Sequence, residues 1–232
     1  MKTFLFTPVF LILFLQTYGQ GSGLGYMFEF GGSNFSPDNS VYDQAIRTHI
    51  HNGFIRFHDR SGKKALQIFF GYRKDTVSFQ NNALFMGNDG NLMQYNTHGF
   101  LKRDAWRIGL MNQQQFGKKP GRLMFALNAG GFYEHTIKGS CFDYHEGWRY
   151  DLDHELNTHN LGIFLGAEMR FAWFTIGCRA EKLFRDMLNH DYILSQELSL
   201  DNSSELRGLK LNPVMGFIYL GINLDFFNDN KE

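Results

Sequence analysis

Residues 161–184 read LGIFLGAEMRFAWFTIGCRAEKLF, a run apolar enough to be buried that nevertheless holds Glu168, Arg170, Arg179 and Glu181. A charge taken out of water without a partner costs several kcal/mol, so the two halves of this description conflict unless they lie on different faces. Period two separates them. Leu161, Ile163, Leu165, Ala167, Met169 and Phe171 fall on one face, and Gly162, Phe164, Gly166, Glu168 and Arg170 on the other. After a turn at Ala172-Trp173 the alternation resumes: Phe174, Ile176, Cys178 and Ala180 oppose Thr175, Gly177, Arg179 and Glu181. This is a β-hairpin with one greasy and one charged side. The turn sets Met169 beside Ile176 and Gly166 beside Arg179, which places Glu168 diagonal to Arg179, within reach of a long side chain.

The same rule holds along the chain. Candidate strands cover 24–35, 49–58, 64–79, 100–116, 121–138, 159–171, 173–186 and 212–227, eight in all. Leu66, Ile68, Phe70 and Tyr72 alternate with Gln67, Phe69, Gly71 and Arg73; Leu123, Phe125, Leu127 and Ala129 alternate with Met124, Ala126, Asn128 and Gly130. In the last strand Val214, Ile218, Leu220, Ile222, Leu224 and Phe226 alternate with Phe217, Tyr219, Gly221, Asn223 and Asp225. Tyr26, Phe28 and Phe30 oppose Met27, Glu29 and Gly31 in the first, while HIHNGFIRFH (49–58) alternates poorly. In each well-formed strand one face is uniformly apolar and the other mixes charge, glycine and aromatics.

Periodicity does not say which face points inward; the connectors do. Short ones, DRSGKK (59–64), FGKKPG (116–121) and FAWF (171–174), alternate strictly with long polar ones at 36–48, 80–99, 139–158 and 187–211. Long loops gathered at one end are what an outer-membrane barrel has, with short turns in the periplasm and long loops outside. The expected fold is therefore all-β, an eight-stranded antiparallel up-and-down transmembrane barrel with both termini at the short-turn end. Aromatics cluster near both ends, among them Phe116, Phe171 and Trp173 by the short turns and Tyr72, Phe100, Tyr133 and Phe184 by the long loops, as two interfacial girdles would.

Length and composition agree. The chain has 232 residues, within reach of one large β domain. Lys and Arg balance Asp and Glu at 23 each, so nothing points to nucleic acid. The first twenty residues, MKTFLFTPVFLILFLQTYGQ, carry a basic Lys2, an apolar core from Phe4 to Leu15 and small residues before Gln20. That core is too short to span a bilayer and fits a secretory signal peptide over 1–19, leaving 20–232 as a single barrel domain. No other run is long and apolar enough for a transmembrane helix. Cys141, in a polar segment, and Cys178, in a strand, are expected unpaired.

On the inward face the acids are Glu29, Glu134, Glu168, Glu181 and Asp225, and the bases Arg56, Arg73, Arg107, Arg170 and Arg179. An eight-stranded barrel is just wide enough for its interior to fill with side chains. Five carboxylates facing five guanidiniums there imply an internal charge network that braces the walls and plugs the lumen, with glycines at 31, 71, 109, 130, 162, 166, 177 and 221 leaving room. A charged conduit is the sharper alternative.

Catalytic and metal signals are weak, and no catalytic residue, metal ligand set or cofactor is assigned. The segment CFDYHEGWRYDLDHELNTH holds His145, Glu146, Asp151, Asp153, His154, Glu155 and His159, yet HELNTH is not the HExxH that sets two His on one helical face. Its aromatics Phe142, Tyr144, Trp148 and Tyr150 could stack on a sugar and are expected to pack on one another. Glu134, His135 and Ser140 are close in sequence, as are His190 and Ser195, without a motif to join them.

With LGIFLGAEMRFAWFTIGCRAEKLF and the aromatic-ended NPVMGFIYLGINLDFF (212–227) in place, the chain resembles the small eight-stranded outer-membrane β-barrels of Gram-negative bacteria, in particular the porin-family outer membrane protein β-barrel group. The tail NDNKE departs from relatives whose chain ends on Phe. The resemblance implies an outer-membrane location, a lipid environment and a monomer. Because the group includes structural, adhesive, secretion-associated and enzymatic members, it leaves function open. The expected role is a non-enzymatic scaffold whose loops 36–48, 80–99, 139–158 and 187–211 meet an extracellular or periplasmic partner. The alternatives are a lipid-modifying barrel enzyme and a soluble secreted barrel around a small apolar ligand.

Overall fold

The computed structural model describes residues 21–35, 42–59, 61–86, 92–117, 123–143, 149–152, 154–189, 211 and 213–227. The signal segment 1–19 lies outside them. Among the described residues nine strands run β1 (Gly21–Phe35), β2 (Tyr42–His58), β3 (Lys64–Met86), β4 (Leu92–Phe116), β5 (Met124–Asp143), β6 (Arg149–Asp151), β7 (His159–Phe171), β8 (Phe174–Leu183) and β9 (Val214–Phe227). Eight of them pair antiparallel with their chain neighbours, and β1 pairs with β9, so the sheet closes on itself. The short β6 adds to the upper end of β5 alone, matching Ser140 with Asp151 and Phe142 with Arg149.

The 161–184 hairpin has the register the alternation requires: Met169 faces Ile176 and Gly166 faces Arg179. Ala172 takes a φ of 52° in its two-residue turn, a left-handed conformation that costs a non-glycine residue roughly 1–2 kcal/mol. The turn at Asp59–Lys63 is held differently. Asp59 Oδ1 accepts from the Lys64 amide at 3.0 Å and Oδ2 from the Ser61 hydroxyl at 2.7 Å, while Gly62 takes a φ of 64°.

Several strands run further than alternation suggests. Expected to end at 79 and to begin at 100, β3 and β4 instead pair from Lys64↔Gln114 up to Met86↔Leu92. The span 80–99 is thus mostly a two-stranded ribbon rather than a loop. A tilted strand needs about ten residues to cross a bilayer; β3 has 23 and β4 has 25, so both project well beyond the barrel wall. The cause is main-chain pairing, which extends a hairpin through sequence without alternation, QNN (80–82) being polar throughout and ALFM (83–86) apolar throughout. Likewise β2 starts at Tyr42 within the expected loop 36–48, and β5 reaches Asp143 within 139–158. Beyond β8, a bridge between Leu156 and Leu188 ties the third long connector to the start of the fourth. Around that bridge Leu152, Leu156, Met187, Leu188 and Leu211 are all buried. Cys141 belongs to the same packed end of the barrel rather than to a polar loop, and neither it nor Cys178 forms a disulfide.

Candidate functional site: the charged lumen

The uniformly apolar face of each alternating strand points outward. Leu165 is 67% exposed, Ile218 64% and Phe171 64%, whereas Glu29, Arg56, Arg73 and Glu134 are 0%. Water is the wrong solvent for such an exterior, and a soluble barrel would have the faces reversed. The poorly alternating β2 obeys the same geometry. Ile50, Asn52, Phe54, Arg56 and His58 are buried inside, and His49 and His51 face outward, where their rings lie 5.0 Å from Phe30 and Phe28. Histidine in outward positions is what broke the pattern.

This is the architecture of a small outer-membrane β-barrel. No protein-family model matches the sequence, and no curated protein matches it closely enough to count as a relative. Solved structures similar to the barrel include the N-terminal β-barrel domain of Pseudomonas aeruginosa OprF, at 13% identity and a TM-score of 0.34, over 88% of this chain and 100% of that one. Neisserial surface protein A is 10% identical with a TM-score of 0.41, over 88% and 96%. Ail, the attachment invasion locus protein of Yersinia pestis, is 10% identical with a TM-score of 0.38, over 89% and 99%. The strand pairing and the exposure pattern, not these distant likenesses, carry the description of the barrel.

The interior charges form two tiers. In the upper tier Glu134 accepts from Arg73 at 2.9 Å and from Arg103 at 2.9 Å. Asp75 accepts from Arg73 Nε at 2.8 Å, from Arg103 at 2.9 Å and from the Thr48 hydroxyl at 2.6 Å. Arg107 forks onto Glu181 at 2.9 and 3.4 Å. Glu181 also lies 3.5 Å from Arg73 and 2.5 Å from Arg179, and Arg179 lies 2.6 Å from Glu29. The Arg179 Nη2 makes no directed hydrogen bond there, so its hold on the two carboxylates is Coulombic. Asn52 donates to Glu29. Four acids and four arginines on β1, β3, β4, β5 and β8 thus join across the lumen.

The lower tier sits near the short turns. Arg170 binds Glu168 on its own strand and donates to Gln113 at 2.5 Å. Glu168 further accepts from the Tyr219 hydroxyl at 2.9 Å and from Asn128 at 3.0 Å. Arg56 donates to Gln67 at 2.8 Å and Asn223 at 3.1 Å, and stacks 4.7 Å over Phe54. Among the expected members, the side chain of Asp225 lies outside the described residues. The expected diagonal Glu168–Arg179 pair is not the one made: Arg179 turns to Glu29 and Glu181, and Glu168 to Arg170.

Asp75 and Arg103 belong to the network although the sequence reading omitted them. Their signal was present, since each shares strand parity with an inward arginine, Arg73 and Arg107. The glycines also do something more specific than leave room for charged side chains. Phe69 lies over Gly109, Phe164 over Gly130, Phe132 over Gly162 and Tyr219 over Gly177, so close that a Cβ there would sit 2.3–2.5 Å from the ring. Rings laid flat on neighbouring glycines then form platforms for the guanidiniums: Arg107 lies 4.1 Å over Phe132 and Arg179 5.0 Å over Phe164.

The candidate catalytic and metal positions do not assemble. Glu134 points inward and its neighbour His135 outward, so they cannot act as an acid–base pair with a common substrate. His135 instead meets His159 at 3.4 Å, and His159 meets the Tyr133 hydroxyl at 2.5 Å. No group of three or more metal-ligating side chains occurs among the described residues. His145, Glu146 and Asp153, with Tyr144 and Trp148, lie outside them, as do His190 and Ser195.

Proposed function

We propose that the protein is an exported, monomeric outer-membrane barrel of the porin-family type, with a signal peptide over 1–19, and that it acts as a non-enzymatic scaffold. Its loops present a binding surface outside, and its lumen is plugged by the charge network. One observation carries this reading: a wide apolar band is exposed outside while Arg73, Glu134, Arg107 and Glu181 inside have no exposed side-chain surface. Ions or solutes moving through that level would have to part charge pairs that no water reaches. Tall β3 and β4 fit a protein that presents surface above the membrane. Two tests suffice. Membrane fractionation with unheated and boiled samples should give an outer-membrane band whose mobility shifts on heating, and a soluble, heat-insensitive protein overturns the barrel-in-membrane reading. In planar bilayers the purified protein should conduct no steady current; a stable open-channel conductance overturns the plug.

A further inference from the structure

The outward face changes character row by row toward the long-loop end. One cross-strand row reads Gly53, Phe70, Ile108, Tyr133 and Leu161, an apolar wall. Directly above it run His51, Tyr72, Trp106, His135 and His159, an aromatic and imidazole belt in which Trp106 stacks on Phe70 at 5.1 Å. The next row is His49, Lys74, Asp104 and Lys138, and the one above it Arg47, Thr76, Lys102, Ser140 and, on β6, Asp151. Four cations and two carboxylates share these two rows, a net of two positive charges, in a chain whose total is zero. The Asp104 carboxylate is engaged by the Tyr72 hydroxyl. Lys74 and Lys102 lean on aromatic rings, 5.6 Å from Tyr72 and 4.9 Å from Phe100, and no salt bridge joins either to another described residue. Lys74, Lys102 and Lys138 border a cleft of about 350 Å³ with His49, Asp104 and Ser140.

We infer that this face holds the phosphate-bearing headgroup of a membrane lipid in the outer-facing leaflet, with Lys74, Lys102 and Lys138 on the phosphate and Phe70, Ile108 and Trp106 against the acyl chains. The inference rests on the membrane reading above. An amphiphile is specified because the cationic rows continue without a break into the apolar wall, and only a lipid satisfies both at once. A phosphate beside the lysines is anionic enough to be held and close enough to the belt for its chains to reach the wall. Each lysine near an anionic surface adds about fivefold to binding, and salt screens that attraction over about 10 Å.

The test uses full-length protein with Trp148→Phe and Trp173→Phe, which leaves Trp106 as the reporter, reconstituted in vesicles of phosphatidylcholine containing brominated-chain lipid. Quenching of Trp106 should be at least tenfold more efficient per mole of brominated phosphatidic acid than of brominated phosphatidylcholine. Lys74→Gln, Lys102→Gln and Lys138→Gln together should abolish the preference. Equal quenching by the two headgroups in a folded, heat-modifiable protein overturns this inference alone, whereas failure to insert into either vesicle overturns the membrane reading beneath it. Inorganic phosphate at millimolar concentration should leave the preference intact; its loss would mean a site for free phosphate rather than for a lipid headgroup.

Discussion

Glu181 is the residue on which the interior turns, since it touches Arg73, Arg107 and Arg179 at once. Removing it leaves the buried Arg107 without its carboxylate partner, while Arg73 keeps Glu134 and Asp75 and Arg179 keeps Glu29. Breaking a buried pair costs about 3–5 kcal/mol, and Glu181→Ala is expected to lower barrel stability by that order, measured as the urea midpoint in detergent by tryptophan fluorescence. Glu168→Ala should cost less, because Arg170 keeps Gln113 as a partner. At this scale the sequence was legible in part. Parity sorts the charges onto one face and the connectors say that this face is the inner one, and inward is where Glu29, Glu134, Glu168 and Glu181 are buried. Partnership was not legible. Arg107 and Glu181 are 74 positions apart, and their contact exists only because the sheet closes.

Elements tell a similar story with a different failure. The hairpin over 161–184 could be registered from its own letters because a one-residue slip would turn every side chain to the wrong solvent. The upper halves of β3 and β4 could not, because their letters at 80–86 and 92–98 carry no period-two alternation to fix a register. The turn at Asp59 yields a pH prediction. Although partial burial works against the charged form, hydrogen bonds from the Lys64 amide, the Ser61 hydroxyl and the Lys63 amide hold the Asp59 carboxyl below its ordinary value. A depressed folded-state pKa contributes stability that is present above the unfolded value of about 4 and is lost as pH falls through the folded one. The protection factors of the Gly62 and Lys64 amides, measured by NMR hydrogen exchange in micelles, should therefore fall below about pH 4. Asp59→Asn should remove that pH dependence while keeping the turn.

For the whole molecule, closure is the event that matters. Glu29 sits on β1 and Arg179 on β8, with β9 between them, so their contact spans the seam where the chain's two ends meet. Arg179→Ala should therefore impair folding into vesicles more than its single lost side chain suggests, since Glu29 and Glu181 are then left crowded and under-neutralised. Adding Glu29→Gln should recover about 1–2 kcal/mol of the loss, a coupling visible in a double-mutant cycle of unfolding midpoints.

That seam contact also makes the barrel a judge of its own completeness. A chain whose last two strands have not yet joined holds the Glu29 carboxylate without Arg179, the cation in contact with it. Curling shut around that charge is unfavourable until β8 delivers Arg179. Sealing the wall and neutralising that charge are thus a single event.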